Sequence, residues 1–174
     1  GPVEQATISY GYGLSTSLMQ IAQAYTVFAR NGDVIPLTLM KQDHPAVGEQ
    51  IYRPEVARQM RAMMMTTVHR GGTASRLKVT GDTVAGKTGT VYKVKNGEYV
   101  KDYVASFVGV APATQPRLVV AVMIDEPKDS GHVGGVVAAP VFGEVVEAAL
   151  RTMLVNPDDP MMVAGGGLLA RTAR

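Results

Sequence analysis

The run Lys87-Thr88-Gly89-Thr90 combines an amine, two hydroxyl groups and a bare stretch of backbone. Acyl transfer through a serine ester needs a nucleophile, a proton relay and donors for an oxyanion, and such groups can supply parts of that set. The run lies in Thr83 to Tyr92, which has the character of a strand, so its side chains alternate between two faces. A single site that uses the whole run must therefore lie along the backbone, which favours an edge strand. Gly89 would let a ligand approach the main chain, and free backbone groups could pair with a peptide.

Two helices are predicted before this strand. Ser17 and Gln20 have capping-box spacing, and Asn31-Gly32 supplies a stop. The apolar positions of this first helix are Leu18, Ile21, Tyr25 and Phe28. The second helix should begin at Pro54, a favoured first position, and run to Arg70. Its predicted buried stripe is Val56, Met60, Met63 and Thr67.

Two more strands and a final helix are predicted after it. Asn96-Gly97 is a strong hairpin signal, and strands are expected over 99–110 and 117–125. The last helix, about 137–154, follows a glycine-rich loop. The residues expected to face the sheet are Val141, Val145 and Ala149. The order helix, helix, three antiparallel strands, helix predicts an α+β fold.

Composition narrows the classes of function. The chain has 174 residues, of which 46% are hydrophobic, which is enough for a core. A formal charge of +2 without a cluster of basic residues argues against nucleic acid as a partner. The absence of cysteine excludes disulfides and thiolate metal sites. No signal peptide is recognised at the N-terminus, and the longest apolar strand-like run, 118–124, is too short to span a bilayer.

Several blocks in a fixed order resemble one family. They are Ser9-Tyr10-Gly11-Tyr12-Gly13-Leu14, Gln20 to Tyr25, His69 to Ala74, Val84 to Thr90, Ala105 to Pro112, Ile124 to Pro127 and Gly134 to Phe142. As a set they resemble the C-terminal half of the transpeptidase domain of class B penicillin-binding proteins, most of all the septal enzyme of Gram-negative bacteria. The likeness covers roughly residues 4 to 155. It implies part of the serine β-lactamase and penicillin-binding transpeptidase fold, an antiparallel sheet with flanking helices.

The resemblance assigns a role to each residue of the run. Lys87 would hold positive charge near a serine of the second motif and assist proton transfer. The hydroxyls of Thr88 and Thr90 would bind a carboxylate, and the backbone N–H of Thr90 would be an oxyanion donor. The expected substrate-binding residues are Thr88, Gly89, Thr90, Tyr92, His132, Val133 and Gly134. Tyr92 stands where some relatives have arginine, and His132 and Val133 stand where many have two aromatic residues, so selectivity among β-lactams stays open.

Two of the three motifs of such enzymes, Ser-x-x-Lys and Ser-x-Asn, are not convincingly present. The one match to the first, Ser75 to Lys78, follows the end of a helix at Gly71-Gly72, whereas the motif needs its serine to open a helix. No serine stands two residues before Asn31, Asn96 or Asn156. The nucleophile is therefore expected on a missing N-terminal portion of the same domain.

Other combinations of residues give weaker indications of a catalytic or metal site. The residues Asp125, Ser130 and His132 could be imagined as a triad, but nothing in their spacing supports it. His44 and His69 have no partner at metal-ligand spacing, so no metal and no cofactor are expected. Ser106 and Phe107 are interpreted as sheet-packing residues.

The resemblance implies a peptidoglycan D,D-transpeptidase that is acylated by β-lactams, with this chain supplying one wall of its site. It implies stem peptides as substrate, and a septal glycosyltransferase and other division proteins as partners. It also implies a periplasmic domain of a protein anchored in the inner membrane, with the anchor absent from this chain. Residues 1–155 are expected to belong to the transpeptidase domain and 156–174 to form a flexible tail. An elongation-specific transpeptidase and a non-catalytic fragment that binds peptide or β-lactam remain alternatives. The tyrosine-glycine block and Gly109 to Pro112 argue against a β-lactamase.

Overall fold

The structure is a computed structural model that describes residues 1–9, 11, 13–128 and 131–159. Its elements in chain order are helix α1 (Pro2–Ile8), helix α2 (Leu18–Ala29), strands β1 (Asp33–Val34) and β2 (Glu49–Gln50), helix α3 (Pro54–Met65), strands β3 (Ala85–Lys95), β4 (Glu98–Ala111) and β5 (Leu118–Asp125), and helix α4 (Gly134–Thr152). The α+β class is confirmed. The short helix α1 and the β1–β2 pair were not predicted.

The main sheet is antiparallel, in the order β3-β4-β5, so β3 lies at an edge among the described strands. Asn96 and Gly97 have φ angles of 54° and 83°, the positive values that a tight hairpin turn requires. Both the hairpin and the edge position of β3 were predicted correctly. A register irregularity between Tyr92 and Lys93 shifts the pairing of the outer hairpin by two residues.

Helices cover both faces of this sheet. On one face, Phe107 of β4 meets Phe142 of α4 with ring centroids 4.8 Å apart, and both side chains are fully buried. On the other face, Val110 and Ala85 join a core cluster with Met64 of α3, and side chains of α2 pack against that cluster. Gly86 lies beside Phe107, where an added Cβ would stand 2.8 Å from a ring carbon.

The capping box of α2 is confirmed, whereas the end and the buried face of α3 differ from the prediction. Ser17 N donates to Gln20 Oε1 at 2.8 Å, and Gln20 N donates to Ser17 Oγ at 3.2 Å. Helix α3 ends at Met65 instead of Arg70, because the next amides bond to carbonyls three residues back, which tightens the turns. The buried residues are Ala57 and Met64, while Met63 is 58% exposed.

Helix α4 begins three residues earlier than predicted. Gly134 and Gly135 are its first residues, and both are buried. The predicted inward face was also wrong: Val141 and Val145 are 41% and 45% exposed, and the face toward the sheet carries Phe142, Val146 and Leu150. The absence of side chains lets Gly134 approach the backbone of β3 and β4, and lets Gly135 approach the main chain of Thr73 and Ala74.

The segment after α4 returns to the start of β3. Asp158 accepts hydrogen bonds from Thr83 N and Thr83 Oγ1, both at 2.6 Å, and from Thr114 N at 3.2 Å. These contacts hold residue 83 outside the strand, which begins at Ala85 instead. Most of the predicted tail, residues 160–174, lies outside the described residues. Over the described part of the chain, no helix combines the length and hydropathy that a membrane span needs.

Candidate active site

The motif residues lie on the edge strand β3, and their side chains divide between the two faces of the sheet. Thr88 pairs with Phe107 and therefore shares the face covered by α4, together with Thr90. Lys87 pairs with Val108 and points to the opposite face, as does Gly89. The predicted alternation is thus found, and the backbone of the edge is the common element of the four residues.

The polar groups of the motif have few internal partners. Lys87 Nζ donates to the carbonyl oxygen of Thr88 at 2.8 Å, and the lysine is exposed. Thr88 Oγ1 donates to Thr73 Oγ1 at 3.0 Å. Thr90 Oγ1 accepts a hydrogen bond from Gly134 N, also at 3.0 Å. An exposed ammonium and two oriented hydroxyls along one strand edge are suited to hold an anionic ligand.

The start of α4 forms the wall beside this edge. Gly134 N would be an unpaired amide of the first helical turn, and the hydroxyl of Thr90 satisfies it. An added Cβ at Gly134 would stand 2.5 Å from Gly89 O and closer still to Ser106 O. The helix, β3 and β4 are therefore in backbone contact at the motif. The predicted residue Gly134 orients Thr90 in this structure.

Gly89 has an internal reason to be glycine, besides the predicted approach of a ligand. An added Cβ would collide with Ser106 Oγ on the neighbouring strand. Ser106 is half-buried and Phe107 is fully buried, so the interpretation of both as sheet-packing residues is supported.

Three rings form a stack beyond the motif. Tyr92 lies 4.8 Å from Tyr103 between ring centroids, and the ring of His132 stacks on Tyr103 at 3.9 Å. A hydrogen bond with Tyr92, together with burial, raises the pKa of Tyr103. Val133 is the 44% exposed residue before α4. The structure therefore joins the predicted residues Tyr92 and His132 through Tyr103, which sequence reasoning missed.

An ion network fixes the hairpin to the end of β5. Lys93 Nζ lies 2.9 Å from a carboxylate oxygen of Asp125 and 2.8 Å from one of Glu126, and Lys95 Nζ lies 3.2 Å from Glu126. Hydrogen bonds from Lys93 and Lys95 lower the pKa of Glu126, and those to Glu126 and Asp125 raise the pKa of Lys93. Glu126 N also donates to Tyr103 O at 2.9 Å. The network thus joins the outer part of the β3–β4 hairpin to the end of β5.

The remaining candidates do not form a second site. Ser75 lies in exposed turns after α3 and opens no helix, which agrees with its rejection as nucleophile. The imagined triad includes Ser130, which lies outside the described residues. Among the residues described, no group of three or more His, Asp or Glu side chains could hold a metal ion.

Comparison with known proteins gives consistent matches. The family described as the penicillin binding protein transpeptidase domain matches residues 2–147. The chain is 44% identical over 160 residues to a probable peptidoglycan D,D-transpeptidase PenA of Neisseria flavescens, covering 91% of this chain and 40% of the relative. It is 39% identical over 157 residues to the peptidoglycan D,D-transpeptidase FtsI of Escherichia coli K12, covering 90% of this chain and 27% of that protein.

A solved structure is similar in fold as well as in sequence. The apo transpeptidase domain of penicillin-binding protein 3 from Burkholderia pseudomallei superposes with a TM-score of 0.84 at 46% identity. The match covers 91% of this chain and 49% of that one. The chain thus spans well under two thirds of the length of the relatives and of the structure it matches.

Proposed function

The chain belongs to the transpeptidase domain family of penicillin-binding proteins, as a class B member, and we propose that it supplies the Lys-Thr-Gly wall of a serine-type peptidoglycan D,D-transpeptidase. The observation that carries the proposal is the edge strand β3, which presents Lys87 on one face and the hydroxyls of Thr88 and Thr90 on the face covered by α4. The nucleophilic serine and the Ser-x-Asn motif would come from an N-terminal portion of the same domain.

The reaction would proceed through an ester. The serine oxygen attacks the carbonyl carbon of the penultimate residue of one stem peptide, the amide bond breaks, and the terminal D-alanine leaves as the amine after it gains a proton. An amine of a second stem peptide then attacks the ester, and the serine recovers its proton. Lys87 would assist these proton transfers through its charge near the serine of the second motif. A β-lactam would follow the first step alone and remain as the ester.

Each threonine would contribute differently to binding. The hydroxyl of Thr90 accepts from Gly134 N, which leaves its own proton available for a ligand carboxylate. The backbone N–H of Thr90, on an edge strand, would be one donor to the oxyanion. The ring stack of Tyr92 and His132 with Tyr103, beside Val133, would limit which side chains of peptide or antibiotic fit.

The cellular role that we propose is cross-linking of peptidoglycan at the division septum. The names of the relatives support the cross-linking part, and the septal part rests on the resemblance of the sequence blocks. We place the working enzyme on the periplasmic side of an inner membrane, with an anchor outside these residues. A septal glycosyltransferase and other division proteins would be its partners.

Acylation kinetics with a fluorescent penicillin test the assignment in the transpeptidase that contains this chain. Lys87→Ala should slow acylation by about 100-fold or more. Thr90→Val removes a neutral donor to an anion and should slow it by about 10- to 100-fold. Thr152→Val is the matched control, because its hydroxyl bonds to Ala148 O at the far end of α4. Acylation of the lysine variant at the wild-type rate would contradict the proposal.

A further inference from the structure

We propose that Thr73 is a positioning residue for the ligand carboxylate, acting through the hydroxyl of Thr88. This inference rests on the proposed function of the same site. Thr73 lies in the turn between α3 and β3, outside the motif, and its hydroxyl is 3.0 Å from that of Thr88. In the described part of the chain, this is the one hydrogen bond found for the Thr88 hydroxyl.

The main chain of Thr73 is held from several sides, so the fold places its hydroxyl. Ala74 is fully buried, and its N–H donates to Thr67 O at 2.9 Å. Gly72 packs so closely on the last turns after α3 that an added Cβ would stand 2.5 Å from Thr66 O. On the opposite side, an added Cβ at Gly135 of α4 would collide with Thr73 O. The main chain of Thr73 therefore lies between the turns after α3 and the start of α4, while its exposed side chain reaches Thr88 of β3.

The proton count of the two hydroxyls gives the pair its role. A hydroxyl has one proton to donate and can accept at its oxygen. Without a ligand, Thr88 can donate that proton to Thr73. To bind a carboxylate, Thr88 must direct the proton outward, and its oxygen must then accept from Thr73. The result is a chain, Thr73 O–H to Thr88 O–H to carboxylate, in which each hydrogen bond strengthens the next.

The neighbouring threonine shows why Thr88 needs this help. Thr90 Oγ1 is already supported by a fixed backbone donor, Gly134 N. The partner of Thr88 Oγ1 is instead the hydroxyl of Thr73, which can rotate. Thr73 can therefore reverse its donor direction when an anion arrives, and it satisfies Thr88 both with and without a ligand.

The test is a double-mutant cycle on acylation by benzylpenicillin, which bears a carboxylate. Thr73→Val keeps the shape but removes the hydroxyl, and it should lower the second-order acylation rate by about two- to tenfold. Thr73→Ser should restore the rate. In a Thr88→Val background, Thr73→Val should have no further effect. Ser75→Ala, two residues along the same turn, is the matched control and should acylate at the wild-type rate.

A second readout separates positioning from loss of structure. A boronic acid without a carboxylate bonds to the serine oxygen as a mimic of the tetrahedral intermediate and does not need Thr88. Its inhibition constant should be unchanged in Thr73→Val. An equal loss for both ligands, or an additive effect in the Thr88→Val background, would overturn the inference. Failure of the wild-type protein to be acylated at all would instead refute the proposed function.

Discussion

A methyl group at Gly134 tests whether backbone contact between α4 and the sheet sets the geometry of the motif. In Gly134→Ala the new Cβ would stand 2.5 Å from Gly89 O, where ordinary contacts begin at 3.4 Å. Both crowded partners, Gly89 O and Ser106 O, are backbone atoms of paired strands and cannot rotate away. The start of the helix must therefore retreat by about 1 Å. Such a retreat would break the 3.0 Å hydrogen bond from Gly134 N to Thr90 Oγ1.

Two opposing effects decide whether Gly134→Ala raises or lowers the free energy of unfolding. Alanine favours a helix over glycine by about 1 kcal/mol, and less at a first position. Overpacking costs about 1–3 kcal/mol, and the lost hydrogen bond costs about 1 kcal/mol. The free energy of unfolding should therefore fall by about 1–3 kcal/mol. Acylation by penicillin should fall by up to about 100-fold, because a displacement near 1 Å misplaces the groups that bind the ligand.

Denaturant unfolding and fluorescent-penicillin kinetics measure the two effects. Gly143→Ala on the same helix is the control, since its Cβ would stand 2.8 Å from Lys78 O and far from Thr90. It should cost less stability and leave acylation close to wild type. A Gly134→Ala protein as stable as wild type, with normal acylation, would refute the reasoning.

Three further predictions use the same measurements. The new Cβ of Gly89→Ala would collide with Ser106 Oγ, so this variant should be less stable than wild type. Adding Ser106→Ala removes the hydroxyl and should restore the stability; if it does not, the collision is not the cause. Burial alone would raise the pKa of Asp158, but hydrogen bonds from Thr114 and Thr83 outweigh it and lower that pKa. Because Asp158→Ala removes these hydrogen bonds, it should lower the free energy of unfolding by about 2–3 kcal/mol at neutral pH. That cost should become smaller as the pH falls through the folded-state pKa, because protonation weakens the hydrogen bonds that the carboxylate accepts, and a constant cost across the acid range would contradict it. Burial and the nearby Asp158 raise the pKa of Asp82, whose Oδ1 is buried without a hydrogen-bond partner. Ionisation of Asp82 therefore lowers the stability of the fold as the pH rises above 3.8. The Asp82→Asn variant should be more stable than wild type at pH 7 but not at pH 3. An equal difference at both pH values would show that charge is not the cause.

Local signals in the sequence predicted those features whose cause is local. The capping box at Ser17 and the Asn96-Gly97 turn each depend on residues within a few positions, and both form as expected. The Lys87–Thr90 run predicted an edge strand because its side chains alternate between two faces, so a single site that uses the whole run must lie along the backbone. The family resemblance predicted the fold, and the fold agrees with it, whereas the roles it assigns to the site residues stay predictions.

Features that depend on contacts between elements could not be predicted. At the start of α4, Gly134 contacts the strands and Gly135 contacts the turn at Thr73, and helical spacing alone did not reveal which face of the helix points inward. If the pairing that begins with Lys95 and Glu98 at the turn continued without a shift, Tyr92 would not lie opposite Tyr103. The register irregularity after Tyr92 brings the two tyrosines together. Thr73 lies 15 residues before Thr88 in a turn, and neither helical nor strand spacing connects the two hydroxyls.

The central claim is that this chain supplies a binding wall and that the acylated serine lies outside it. Denaturing intact-mass spectrometry and peptide mapping, before and after incubation with benzylpenicillin, test this most directly. We expect the mass of one penicillin on a serine outside these 174 residues, with every peptide of this chain unmodified. A penicillin adduct on a serine of this chain, Ser75 above all, would contradict the account and require a different mechanism.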